Sequence, residues 1–564
     1  ERLPDEEGKS IPIDMVLAFH SDAGVRLNDD IIGTLGIYYT KDNKGRFEGG
    51  ADRYLSRDLT DIVMTQIVGD IRAKAEPNWS RRGMWNRSYY EARVPSAPTM
   101  LLESMSHQNF ADMRYGNDPR FKFLVSRAIY KGILRYISSQ YNTPYTVQPL
   151  PVERFSATFA DATSSDVILK WKGVEDDLEL TASPEYYIVY TRIDDGDFDA
   201  GRRVDGEQIT LKQEVGHTYS YRVTAVNKGG ESFPSETLSA HRVANERGRV
   251  LVVNGFDRIS APLHIQGDSL AGFYNNYDAG VAYIEDISFI GEQTIFDRSL
   301  ARATDDRNAL GTSQRNYETM VIAGNSFDYP VMHGRSIVVA GYSFSSASCG
   351  AVEANEVDMR GFDVVDLILG KQRTVTIGRD TTPRHEVFPL AMQQCLREYT
   401  DAGGSLLVTG AYAFADLLEG DDVNDADRAF SREVLHASFA GIDTLNRRVL
   451  TPMAISSSRR VKACRIGEVE LSREYSTEVY RLESAEKIVP VGKDALTILQ
   501  YDDGGSAAVQ YAGNNRSIVV GFPFESIVEE GMRNLFMERS LDFLTTKSGK
   551  SNVGSERKSR KRKK

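Results

Sequence analysis

Met15-Val16-Leu17-Ala18-Phe19, running straight into His20-Ser21-Asp22-Ala23-Gly24, reads as a short buried strand that delivers a polar loop. The apolar run is too short for an ordinary helix, and the small polar residues after it end the pattern. Gly36-Ile37-Tyr38-Tyr39-Thr40 is a second strand candidate, stopped by the turn-rich Lys41-Asp42-Asn43-Lys44-Gly45. From Ser56 to Ala75, Leu59, Ile62, Val63, Ile67 and Ile71 recur at helical spacing. Thr99-Met100-Leu101-Leu102 forms a strand expected to end on Glu103. Phe121 to Ile137 is a second helix, with Phe121, Leu124, Val125, Ile129, Ile133, Leu134 and Ile137 as its apolar positions. Strands alternating with helices predict an α/β layer arrangement whose ligands gather at the carboxyl ends of the strands.

Beyond this first region, taken as residues 1–145, the pattern changes. A spacer with Pro144, Pro149 and Pro151 leads into short alternating strands: Val167-Ile168-Leu169-Lys170-Trp171, Tyr186-Tyr187-Ile188-Val189-Tyr190 and Tyr219-Ser220-Tyr221-Arg222-Val223-Thr224-Ala225-Val226. Residues 151–245 therefore read as a β-sandwich. Its aromatics belong to alternating strands and are expected in the core rather than on a carbohydrate platform. Residues 248–545 carry dense apolar runs at Val250–Val253, Met320–Ala323, Ser336–Val339, Val364–Ile368, Ser405–Val408 and Ser517–Val520. Helical stretches lie at Leu390–Tyr399 and Gly531–Leu544. That pattern predicts a mostly parallel sheet covered on both faces. The last segment, 546–564, ends in Lys558-Ser559-Arg560-Lys561-Arg562-Lys563-Lys564 and reads as a solvated basic tail.

A chain of 564 residues exceeds a single core and predicts a modular protein. Its formal charge of -12 argues against a nucleic-acid partner, which calls for a concentrated basic face. The three cysteines, Cys349, Cys395 and Cys464, are spaced for neither a disulfide framework nor a thiolate metal site. No run approaches a membrane-spanning length, and Glu1-Arg2-Leu3-Pro4-Asp5-Glu6-Glu7 lacks the pattern of a signal peptide.

His20 at a strand end is, by itself, an ordinary loop histidine. Glu103 says more, because an apolar strand leading to a carboxylate puts a costly charge where water or a ligand must satisfy it. Val16-Leu17-Ala18-Phe19-His20-Ser21-Asp22-Ala23, then Pro98-Thr99-Met100-Leu101-Leu102-Glu103, then Asn109 and Ala128-Ile129-Tyr130-Lys131-Gly132-Ile133-Leu134-Arg135-Tyr136 appear in an order that resembles the zinc-dependent N-acetylmuramoyl-L-alanine amidases. The resemblance implies that the first region is the C-terminal part of such a catalytic domain. It further implies that zinc is the cofactor, His20 a metal ligand and Glu103 the general base and acid. The bond cut would be the amide between the lactyl group of muramic acid and L-alanine. Around that site Arg93, on the approach to the strand, is a candidate for a substrate carboxylate, His107 for substrate or metal, and Asn109 for substrate, while Asp22 and Asn109 are candidates to brace the site by hydrogen bonds. A surface charge for Arg93 and a backbone-satisfied loop histidine for His107 are the structural alternatives. Peptidoglycan is the partner, and the protein acts in the periplasm or extracellularly, at the envelope of a bacterium.

The family's first histidine and its glutamate ligand have no counterpart ahead of His20, where Glu6 and Glu7 sit in a polar opening. The expectation is that both ligands lie upstream of Glu1, and activity depends on them. The segment 151–245 resembles a fibronectin type III module, on Trp171 as core tryptophan, Tyr219 or Tyr221 as tyrosine corner, and the strand running into Asn227-Lys228-Gly229-Gly230-Glu231-Ser232. Residues 248–545 resemble, in layout, the class I glutamine-amidotransferase-like fold. Their corresponding turn, Leu407-Val408-Thr409-Gly410-Ala411-Tyr412-Ala413-Phe414, lacks a cysteine, and Cys349 lies in Ser345-Ser346-Ala347-Ser348-Cys349-Gly350 with no evident histidine partner. His264, His333, His385 and His436 are too dispersed for a metal centre. This third region is expected to bind a glycan or an envelope protein without catalysis, its pocket shaped by Ser343–Ser348 and Gly410–Asp422. The alternative for the whole chain is a noncatalytic envelope glycan-binding or scaffold protein with a degenerate amidase domain.

Overall fold

The computed structural model of the chain describes residues 2–4, 10–24, 30–267, 270–283, 288–290, 295–297, 320–322, 324–325, 328–420, 423–443, 448–450, 463–474 and 479–546. Glu6, Glu7 and the tail from 547 onward lie outside these residues.

In the first region four strands lie side by side in the order Val16–Asp22, Thr99–Ser106, Thr34–Tyr38, Arg81–Asn86. Their pairings are parallel, antiparallel and parallel. Side chains alternate between faces. Met100 and Leu102, with Leu17, face the helices Tyr54–Lys74 and Pro119–Tyr141, while Leu101 joins Ala18, Leu35 and Ile37 in a smaller cluster. The second helix starts where the sequence supplies both signals: the Asp118 carboxylate accepts from the Arg120 N–H, and Pro119 takes a position that needs no donor. The two helices close tightly at Gly132, where a Cβ would come within 2.9 Å of Val63 Cα.

Two local expectations are corrected, and one strand was not foreseen. The Val16–Asp22 strand is an outer strand rather than a buried one, and Phe19 is 59% exposed. The Thr99–Ser106 strand passes through Glu103 instead of ending there. Arg81–Asn86 is a strand hidden from hydrophobic patterning by its two arginines.

Residues 153–241 form two packed sheets. One holds Glu153–Phe159, Val167–Lys172 and Gln208–Leu211. The other holds Arg202–Val204, Tyr186–Ile193, Thr218–Asn227 and Leu238–His241. This is a fibronectin type III-like sandwich. Trp171 and Tyr221 are buried between the sheets, and the Tyr219 hydroxyl accepts from the Glu214 backbone N–H at 3.1 Å, which makes Tyr219 the corner residue.

The third region centres on five parallel strands in the spatial order Ser343–Ser348, Arg249–Asn254, Val364–Gly370, Ser405–Gly410, Arg516–Val520. Numbered along the chain they run 2-1-3-4-5, a doubly wound order. Antiparallel strands Ser506–Ala512 and Ala495–Tyr501 extend the last of them. Val250, Val252, Val364, Ile368 and Leu407 pack with Ile337, Phe536 and Leu541 of the helices Tyr329–Val339 and Glu530–Leu544. The alternate residues Leu251, Val253, Val365, Leu367 and Val408 pack with Met392, Leu396 and Phe414 on the opposite face. Ser336–Val339, expected as a strand, ends the helix Tyr329–Val339: a four-residue apolar run has no period of its own, and Pro330 in the first turn starts a helix. Met320–Ile322 pairs with Ser288–Ile290 outside the parallel sheet, and Ala323 lies outside the described residues.

Candidate active site around Glu103

His20 and Glu103 are register partners on neighbouring parallel strands, so their side chains leave the same face of the sheet, one strand spacing apart. Leu35 stands opposite Glu103 on the next strand, giving the carboxylate an apolar neighbour. Glu103 Oε2 is fully buried and has no hydrogen-bond partner. Burial pushes its carboxyl above the usual range. Asp22 and Glu91 add to the rise, and His20 and Arg82 oppose it. A carboxyl in such a setting is a stronger base than an exposed one and suits proton transfer.

The surrounding charges come from separate elements. Asp22 accepts from Arg82 Nη1 and from the Ala23 N–H, so Arg82 reaches from one outer strand of the sheet to the other. Glu91, on the short helix Tyr90–Arg93, brings Oε1 to 3.9 Å from His20 Nε2. Sequence reading missed both Glu91 and Arg82. The only available signal was the cluster Arg81-Arg82-Gly83-Met84-Trp85, whose charge masked a strand. Trp85, Tyr89 and Tyr90 are exposed on this segment.

The remaining expected residues fall in different places. Arg93 closes the Tyr90–Arg93 helix, half-buried, its carbonyl accepting from Arg53 Nη1. His107 is exposed beside Ser21, with Nδ1 3.1 Å from the hydroxyl, and its N–H donates to the Asp22 carbonyl. Asn109 is 1% exposed, and its amide donates to the Asp30 carbonyl and to Asp112. Asp112 in turn accepts from the N–H groups of Ile32, Gly33 and Ser106. Asn109 therefore braces the loop that precedes the Thr34–Tyr38 strand.

A catalytic zinc takes three protein donors and keeps one position open. His20 and Glu91 are placed to share an ion, but among the described residues no three His, Cys, Asp or Glu side chains converge to hold one. The described residues do not make a complete zinc centre.

In the third region Cys395 is buried within the helix Leu390–Asp401, and Cys349 opens the short helix Cys349–Glu353. Burial first, then the charges of Asp257, Glu353 and Glu236, push the Cys349 thiol well up, against a thiolate nucleophile. His385 lines the same cavity as Cys349, with its Nδ1 3.2 Å from Asp257 Oδ1. The loop after Gly410 coils into the helix Ala413–Glu419, and its N–H groups at Phe414 and Ala415 donate to the buried Glu486.

No family model matches the chain, and no curated protein matches it. Among solved structures, an N-acetylmuramoyl-L-alanine amidase of Nostoc punctiforme is similar at 22% identity and a TM-score of 0.17, over 22% of this chain and 58% of that one. The corresponding amidase of Clostridium difficile 630 is similar at 18% identity and a TM-score of 0.18, over 22% and 59%. The chain thus spans somewhat over half the length of each. A human FNIII domain is similar at 20% identity and a TM-score of 0.16, over 18% of this chain and 85% of its own. No helix among the described residues is long and apolar enough to cross a membrane.

Proposed function

We propose that the first region is the C-terminal part of a peptidoglycan hydrolase domain that cuts the amide between N-acetylmuramic acid and L-alanine, with Glu103 carrying the proton. The observation that carries this reading is the buried, unpartnered Glu103 Oε2 beside its register partner His20. A carboxylate made more basic by burial accepts a proton from attacking water and returns it to the departing amine. Arg82, close enough to Glu103 to oppose its pKa rise, is positioned to take a substrate carboxylate when Asp22 yields it. Zinc, when bound, supplies a polarised carbonyl and an activated water. His20 and Glu91 are the donors this region would contribute. The reading implies a periplasmic or extracellular site of action, with the β-sandwich and the third domain holding the enzyme to the envelope.

The test uses the full-length natural protein, purified peptidoglycan and added zinc, with free stem peptide as the readout. The native protein is expected to bind zinc and release peptide. Glu103→Gln is expected to keep metal and wall binding while losing turnover by roughly 10²–10⁴-fold. Full activity in that variant, or no peptide from the native protein with zinc, sinks the proposal. Wall binding without peptide release would leave the noncatalytic envelope-binding reading in its place.

A further inference from the structure

The helix Pro119–Tyr141, the spacer before the β-sandwich, the sandwich itself and the third region each give side chains to one cavity of about 340 Å³. Phe123 and Tyr130 come from the helix, Gln148 from the spacer, Phe233 from the sandwich and Tyr283 from the third region. Junctions between domains are a preferred place for small-molecule sites. None of the residues around Glu103 takes part in this one. Its walls are aromatic, and the rings are ordered against one another. Phe123 and Tyr283 stack with centroids 4.8 Å apart and planes 19° apart. Phe233 stands edge-on to both, at 5.9 Å and 6.2 Å. Faces and edges at such distances are what a further flat ring needs in order to join the cluster. Phe233 is 47% exposed, so the protein alone does not close it.

The polar groups of the cavity are donors that lack acceptors. Arg127, which lines it, is only 9% exposed. Its Nε and Nη2 donate to Asp176, and Nη2 donates also to the Gln148 carbonyl. Its Nη1 makes no hydrogen bond among the described residues. The Tyr130 hydroxyl accepts from the Gln148 N–H at 3.3 Å, which leaves its own proton for another partner. Lys122 forms no ion pair among the described residues: Asp118, the acid whose charge acts on it, is held by Arg120 at 2.6 Å. No aspartate or glutamate lines the cavity. A buried guanidinium N–H without an acceptor calls for one. Asp176 balances Arg127, so the unbalanced charge is the single one on Lys122, and a monoanion matches it.

We propose that this cavity binds a small aromatic carboxylate, its ring among Phe123, Phe233 and Tyr283 and its carboxylate between Lys122 and Arg127. A carboxylate offers the flat pair of acceptors that a guanidinium edge and an ammonium take well. The site is independent of the hydrolase reading, and Glu103→Gln leaves it unchanged.

The probe is 2-naphthoate, titrated into the whole chain and followed by saturation-transfer NMR and by its own fluorescence. It is expected to bind saturably. 2-Naphthylmethanol, with the same ring and no charge, is expected to bind about 10-fold more weakly, and 2-naphthylmethylammonium more weakly still. Lys122→Gln is expected to weaken naphthoate by about 10-fold and to leave the alcohol unchanged, which also shows that the cavity survives the substitution. Phe233→Ala is expected to weaken acid and alcohol alike, by about 5-fold. Lys74→Gln, which removes an ammonium paired with Asp177 outside the cavity, is expected to alter neither. No saturable binding of naphthoate, an ammonium ligand bound as tightly as the carboxylate, or affinities that Lys122→Gln or Phe233→Ala leaves unmoved each overturn the proposal.

Discussion

His333 shows what a single buried residue carries in this molecule. It is fully enclosed, with Nδ1 2.7 Å from Asp366 and Nε2 3.4 Å from Glu525, and Glu525 also accepts from the Tyr480 hydroxyl at 2.6 Å. Burial pushes the imidazole down, but the two carboxylates outweigh it and bring its pKa to about 9. Its unfolded value is about 6.5, so the folded state holds the proton more tightly. That stabilisation is complete below about pH 6.5 and fades as pH rises through about 9. His333→Gln is therefore expected to cost on the order of 3 kcal/mol near pH 6 and far less near pH 10, read as the shift of the denaturation midpoint at the two pH values. A constant cost would mean the histidine is not charged. Nothing in the sequence announced this group, because Asp366, His333 and Glu525 are far apart along the chain. His20 and Glu103 are distant too, yet each could be read because it closes an apolar run, and two parallel strands of similar length bring such positions together. Asn109 marks the limit of such reading: a loop asparagine looks the same in sequence whether it faces substrate or holds a turn.

The strand Ser343–Ser348 shows where elements escape sequence reading. All six of its residues are buried, yet four are serines, so hydrophobic density passes over it and settles on Ser336–Val339 instead. The serines have a structural reason. Ser346 and Ala347 pair with Ala157 and Ser156, and Phe344 with His241, so the β-sandwich is stitched to the outer strand of the parallel sheet. The hydroxyls satisfy backbone groups that this junction buries. Ser346 Oγ donates to the Ser239 carbonyl and accepts from its N–H, both at 2.7 Å, and Ser343 Oγ accepts from the Val243 N–H at 2.9 Å. Ser346→Ala is expected to strand two buried backbone groups, at a cost of roughly 1–3 kcal/mol. The measurement is native-state hydrogen exchange at the Ser239 amide, which should lose protection by about 10-fold or more, while Ser438→Ala, on a separate sheet, leaves it unchanged. Long elements with a clear period, such as Tyr54–Lys74 and Pro119–Tyr141, were legible because their apolar faces meet a single core.

At the scale of the molecule, the third region reaches into the first. Ile377, from the loop after Val364–Gly370, is 5% exposed and belongs to the core formed by Trp79, Tyr115 and Phe121. Around it, Tyr115 donates to Glu76 at 2.7 Å and accepts from the Arg379 N–H at 3.0 Å, and Arg379 Nε lies 3.2 Å from Glu76. Arg120 donates to the Thr376 carbonyl and Arg114 to that of Gly378. A docking loop of this sort has no period for sequence reading to find. Gly378 is the residue on which it turns: its φ is +51°, and a Cβ there would come within 2.1 Å of the Tyr115 ring. An L side chain at that position meets both an unfavourable backbone region and a fixed aromatic ring. Gly378→Ala is therefore expected to undock the loop while the parallel sheet and the four-stranded sheet stay folded. Ile377→Ala, which keeps the backbone free and only empties the pocket, is expected to cost about 2–5 kcal/mol locally without undocking. Hydrogen exchange separates the two. Gly378→Ala should expose Thr376–Arg379 and loosen Tyr115 together, with circular dichroism near native, whereas Ile377→Ala should lower protection around Trp79 and Tyr115 only. If Gly378→Ala left the Arg379 amide as protected as in the native chain, the contact with Tyr115 would not be what holds the regions together.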